Sequence, residues 1–102
     1  MPLSPGAKPR RGRPARFPLG EVLATPRALE ALTAAGQTLE KLLERHLAGD
    51  WGDISGAQRR VNDAGIAAFC NLASAYLLPD GQRITIFTRG DRTHTLVHLA
   101  PR

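Results

Sequence analysis

With 102 residues, 42% hydrophobic and 23% charged, the chain has room for one small domain and a short extension. No run of 18 apolar residues is present, which excludes a membrane-spanning helix, and the single cysteine, Cys70, excludes an internal disulfide. The formal net charge of +5 is unevenly placed: residues 1–18 hold Lys8, Arg10, Arg11, Arg13 and Arg16 and no acid, leaving nine basic and nine acidic side chains to cancel in residues 19–102.

In chain order, residues 1–18 read as a disordered basic tail, too rich in Pro, Gly and Arg to bury a core. Residues 19–102 read as a small α+β domain. The start lacks the apolar stretch of a secretory signal, and one lone cysteine suits a reducing cytoplasm. Thr25-Pro26 predicts an N-cap with Pro at the first helical position, opening a helix to about Ala35 with Leu29 and Leu32 on one face. Gly36 then supplies a stop. Thr38 caps a second helix to about Ala48, its apolar stripe being Leu39, Leu42, Leu43 and Leu47. Ser55 with Gln58 has the form of a capping box and predicts a third helix from about Ala57 to Ala67. Cys70 follows in an apolar stretch and is expected to be a buried structural thiol.

From about Asn71 the apolar period changes to that of strands. Leu72 to Leu78, Arg83 to Thr88 and Thr93 to Leu99 read as three strands, joined by turns at Pro79-Asp80-Gly81 and Arg89-Gly90-Asp91-Arg92. The expected architecture is therefore α+β: two to three short helices packed on a three-stranded antiparallel β-meander, preceded by the tail. The edge strands of such a sheet need covering by the helices or by a partner. Edge pairing across a two-fold axis would give a homodimer that presents two tails.

The tail contains Lys8-Pro9-Arg10-Arg11-Gly12-Arg13-Pro14-Ala15-Arg16. Arg-Gly-Arg-Pro with basic flanks resembles the AT-hook, which lies in the minor groove of AT-rich double-stranded DNA. Each residue type has a physical reason to be there. Arg11 and Arg13 suit a narrow groove of negative potential, and Gly12 lets the backbone approach the groove floor. Pro14 keeps the flank extended, so that Lys8, Arg10 and Arg16 can meet phosphates. A solvated tail rich in Arg, of which the chain has twelve against two Lys, is the bland alternative.

The body carries a second resemblance. Phe17-Pro18-Leu19-Gly20, Ala24-Thr25-Pro26, His46-Leu47-Ala48-Gly49-Asp50-Trp51-Gly52, Asn62, Ser74-Ala75-Tyr76, Asp80-Gly81 and Thr88 to Thr95 look like a family of small uncharacterised proteins of bacterial plasmids, integrative elements and phages. His-x-x-Gly-Asp-Trp-Gly is the most specific part. Thr85 departs from it, standing where the family tends to have Trp, and Ala100-Pro101-Arg102 replaces an acidic ending. The resemblance implies a mobile-element setting and a fold, not a mechanism.

Gly49-Asp50-Trp51-Gly52 admits two readings. Trp51 closes the small core while Asp50 or Asp53 accepts loop N–H groups, or Trp51 anchors a partner protein or an unstacked base. His46, near a helix C-terminus, is expected to be partly cationic. His46, Asp50, Trp51 and Arg92 are the candidate partner-binding residues, although Asp91-Arg92 also suits a turn salt bridge or an Asx turn. His94 and His98 fall on one face of the third strand and, with Arg83, Arg89 and Arg92, resemble the basic face of small ribonuclease toxins. Nothing in that spacing demands RNA cleavage, so no catalytic residue is assigned; no third ligand has convincing spacing for a metal, and no cofactor is implied. The expected function is that of a non-enzymatic DNA-associated accessory protein in the cytoplasm or on the nucleoid, its tail on DNA and its body on a protein partner or itself. The alternative is a mobile-element inhibitor of a host defence or toxin system with an incidental tail.

Overall fold

The computed structural model describes residues 14–101. Seven elements follow in order: β1 (Glu21–Ala24), α1 (Pro26–Ala34), α2 (Leu39–Leu47), α3 (Gly56–Ala68), β2 (Leu72–Leu77), β3 (Arg83–Thr88) and β4 (His94–Leu99). Each helix starts where its cap dictates. The side-chain oxygens of Thr25, Thr38 and Ser55 accept the N–H groups of Ala28, Lys41 and Gln58, satisfying donors that a first helical turn leaves open. Only half of the expected capping box forms, because the Gln58 amide donates to Asn62 Oδ1 at 3.0 Å and does not turn back to Ser55.

β2, β3 and β4 form the expected antiparallel meander, with Ile86 opposite both Ser74 and Val97. The sheet is nevertheless four-stranded and mixed, in the order β1-β4-β3-β2. This corrects the three-stranded antiparallel expectation at one edge, where β1 runs parallel to β4 with Leu23 opposite Leu96. The cause is the free edge of β4. Pairing there gives the N–H groups of Glu21 and Thr25 the carbonyls of Thr93 and Val97, at 3.1 and 3.0 Å, and lays Val22 and Ala24 against the core. Gly20 permits the approach, since its φ is +67° and a Cβ would collide with the backbone carbonyls of Arg92 and Thr93.

The helices pack on one face of the sheet. Ala28, Ala31 and Leu32 of α1 and Leu42 and Leu43 of α2 meet Leu72, Tyr76, Ile84, Ile86 and Val97 in one apolar cluster. Phe17 and Leu19 belong to it too, so the folded unit begins at Phe17 or earlier, and the tail boundary at residue 18 is corrected accordingly. An aromatic ring four residues before the first strand had a core to enter, and it entered.

The outer edge of β2 is sealed from within the chain. The Asn62 side chain mimics a neighbouring strand: its Nδ2 donates to Ala73 O at 2.7 Å and its Oδ1 accepts Ala73 N–H at 3.3 Å. Ala75 exchanges backbone hydrogen bonds with Trp51 and Asp53, and the Asp53 carboxylate accepts Leu77 N–H at 2.8 Å. An edge so covered cannot extend the sheet into a second copy, which removes β2 from the homodimer expectation. Cys70 also departs from expectation, being exposed. α3 ends at Phe69 in the left-handed conformation, which turns Phe69 and Cys70 outward.

Candidate functional site

The side chains expected to recognise a partner converge, but in the interior. His46 is fully buried and Trp51 nearly so. The His46 ring meets Phe17 and Trp51 edge-on at centroid distances of 5.3 and 5.4 Å, while Phe17 stacks on Trp51 at 6.1 Å. The Gly-Asp-Trp-Gly loop is held from both sides. Trp51 Nε1–H donates to Asp63 at 2.9 Å, Tyr76 O–H donates to the Asp50 carbonyl at 2.7 Å, and Arg45 grips the Asp50 carboxylate with two donors at 2.8 and 3.2 Å. Of the two readings of this loop, the packed one matches the geometry: Trp51 is buried and closes the core.

A line of polar groups crosses the sheet beneath these rings. Thr95 Oγ1 donates to the Leu19 carbonyl at 2.8 Å, and this uses its only proton. Thr88 must then donate to Thr95 across 2.8 Å, and the Thr88 oxygen must accept from His46 Nε2–H at 2.9 Å. In a neutral ring Nδ1 then carries no proton and accepts from the Ser74 hydroxyl. The chain of donors thus fixes a proton on Nε2, and burial keeps the ring neutral. Burial, and after it the nearby Arg92 guanidinium, push the His46 pKa from 6.5 down to about 3. The partly cationic His46 expected from the helix C-terminus is corrected: desolvation outweighs the dipole. A Ser–His pair within hydrogen-bond reach is the geometry of an activated nucleophile. Here Ser74 and His46 are both buried away from solvent.

Arg92 is likewise an interior residue, 7% exposed, with φ +58°. Its guanidinium donates to the carbonyls of Cys70, Arg89, Gly65 and Ile66 at 2.8 to 3.2 Å, gathering the C-terminal end of α3 onto the β3–β4 turn. A cation among helix C-terminal carbonyls is favourably placed. The expected salt bridge in the turn belongs instead to Arg89 and Asp91, 3.6 Å apart, and Asp91 forms the Asx turn by accepting Thr93 N–H at 3.1 Å. The Thr93 hydroxyl, which donates at 2.7 Å, and with it this N–H hold the Asp91 carboxyl below the ordinary carboxylate range. The five residues likened to a ribonuclease site do not come together. Arg92 points into the core, whereas His94, His98, Arg83 and Arg89 lie on the opposite side of the sheet.

Of the DNA-binding candidates, Lys8, Arg10, Arg11, Gly12 and Arg13 lie outside the described residues. Pro14 and Arg16 are exposed. Arg16 joins the tail to the body through its N–H, which donates to the Leu47 carbonyl at 2.8 Å, and its guanidinium sits 3.8 Å from the Asp63 carboxylate. Among the described residues no group of three His, Cys, Asp or Glu side chains could hold a metal ion, and no helix is long and apolar enough to cross a membrane.

The surface that sequence reasoning missed is the far face of the sheet. No helix among the described residues covers it, and Leu23, Leu96 and Leu77 are 45%, 37% and 55% exposed there. Phe87 and Leu96 were the available signal: apolar residues at the strand positions that alternate with the core-facing Ile86 and Val97.

The described residues thus define a small α+β unit with three helices and a mixed four-stranded sheet, one face of which none of these helices covers. The chain matches no protein-family model, no curated protein and no solved structure.

Proposed function

We propose that this protein is a non-enzymatic DNA-associated accessory protein, a compact binding body joined to a basic segment that occupies the minor groove of AT-rich duplex. The observation that carries the reading is the segregation of charge, with the whole net +5 in residues 1–18 around Arg11-Gly12-Arg13-Pro14 and none left over in the body. The body's design supports it. Its buried histidine, tryptophan and arginine are spent on internal bonds, while the face of its sheet opposite the helices carries exposed leucines. Such a body holds and binds.

Fluorescence anisotropy on labelled AT-rich and GC-rich duplexes tests this, comparing the full chain with the Arg11→Ala/Arg13→Ala variant. The expected result is AT-preferring binding that the variant loses and that weakens with salt, with a log–log slope of about 0.9 per phosphate neutralised. Equal binding to both duplexes, or binding that survives in the variant, would remove the minor-groove reading.

A further inference from the structure

The open face of the sheet has an ordered chemistry. Leu23, Leu96, Phe87 and Ala73 are direct cross-strand neighbours, forming one apolar row over all four strands. The row spans three interstrand gaps, roughly 14 Å. At both ends of the strands the row gives way to cationic and imidazole groups. Arg89 and His94 line a hollow at one end together with Phe87 and Leu96. Arg27 and His98 line a second hollow at the other end, and Arg83 stands on the same face of β3. Of the acids by these hollows, Glu21 stands opposite His94, Asp91 is paired with Arg89, and Asp80 accepts from Gln82.

We propose that this face docks an acidic amphipathic helix of a partner protein. The helix would lie across the strands with its apolar stripe on Leu23, Leu96 and Phe87 and its carboxylates over the Arg and His side chains on either flank. The inference rests on the reading of the body as a binding unit. A row of roughly 14 Å matches about nine residues of helix, or between two and three turns. Charge selects the occupant. A second copy is disfavoured, because a two-fold axis along the strands sets the Arg89–His94 end on itself. An axis across the strands sets it on the Arg83–His98 end. Both stack cation on cation. The chain's own basic tail is repelled for the same reason. Single-stranded nucleic acid would need stacking platforms, and the row offers one aromatic ring among aliphatic side chains.

The test is an NMR titration of the full-length, isotope-labelled protein with two designed 14-residue helical peptides. Both carry one leucine stripe; one is flanked by Glu, the other by Lys. The Glu peptide is expected to shift amides of β1, β3 and β4 around Leu23, Phe87 and Leu96, and to bind at least about tenfold tighter than the Lys peptide. Leu96→Glu and, separately, the Arg83→Glu/Arg89→Glu pair should each weaken it about tenfold. All three side chains lie on the uncovered face, so the fold is kept. Arg11→Ala/Arg13→Ala should leave peptide binding unchanged while abolishing DNA binding, so the two readings fail separately. The proposal is overturned by equal affinity for the two peptides, by shifts confined to the tail, by the same face responding to an oligothymidylate in place of the Glu peptide, or by a dimer in sedimentation that Leu96→Glu dissociates.

Discussion

Acid is the sharpest probe of the buried relay. In the unfolded chain the His46 imidazole takes a proton near pH 6.5; in the folded protein burial holds it neutral down to about 3. A folded-state pKa depressed for a base means that the unfolded state binds more protons between those values. Stability from this group is therefore complete above pH 6.5 and falls as the pH drops toward 3. At about 1.4 kcal/mol per pH unit, roughly 2 kcal/mol is lost by pH 5, and on the order of 5 kcal/mol over the whole interval. Asp91, whose depressed carboxyl contributes above about 3.8 and loses that contribution below it, does not interfere between pH 5 and 6.5. Urea unfolding at pH 7, 6 and 5 reads the loss, and imidazole 15N shifts read the tautomer and the pKa of His46 directly. A stability that stays flat between pH 7 and 5, a His46 that titrates near 6.5, or a proton found on Nδ1 would refute the reasoning.

Thr88→Val keeps shape but leaves His46 Nε2–H without an acceptor and Thr95 without its donor. Chemical denaturation should show a loss of about 1–3 kcal/mol, the cost of an unsatisfied buried donor. Trp51→Ala empties the centre of the aromatic cluster and should cost about 3–5 kcal/mol by the same assay. If Trp51 were a partner anchor on the surface, its removal would leave stability untouched. Asn62→Leu preserves bulk in α3 but strips the N–H and C=O of Ala73 of their partners. It should lower stability by about 2 kcal/mol and open the β2 edge to concentration-dependent association in sedimentation. Gly20→Ala places a Cβ against the backbone of the β3–β4 turn and should lower the melting temperature by several degrees, about 1–3 kcal/mol.

Much of this fold was legible because its signals are local. Thr25-Pro26, Thr38 and Ser55 mark helix starts through bonds reaching only three residues. Pro79-Asp80-Gly81 marks a turn through Asp80, which accepts Gln82 N–H at 3.0 Å. β1 was not legible, since four residues between Gly20 and Thr25 show no period, and their pairing is decided by a strand some seventy residues later. The direction of His46, Trp51 and Arg92 was also hidden. Each has a polar edge that suits a surface, and each finds its partner far along the chain: His46 at Ser74 and Thr88, Trp51 at Asp63, Arg92 at the end of α3. The relay could have been suspected from Ser74, Thr88 and Thr95, small polar residues at strand positions whose neighbours on the same face are Leu72, Ile86 and Val97.

The two-part account is tested most directly by titrating an AT-rich duplex into the isotope-labelled full chain and following every amide. The account predicts shifts and broadening over residues 8–16, with the Leu23–Leu96–Phe87 face and the aromatic core unmoved. Perturbation centred on Phe87, His94 and His98, or none anywhere at low salt, would contradict it.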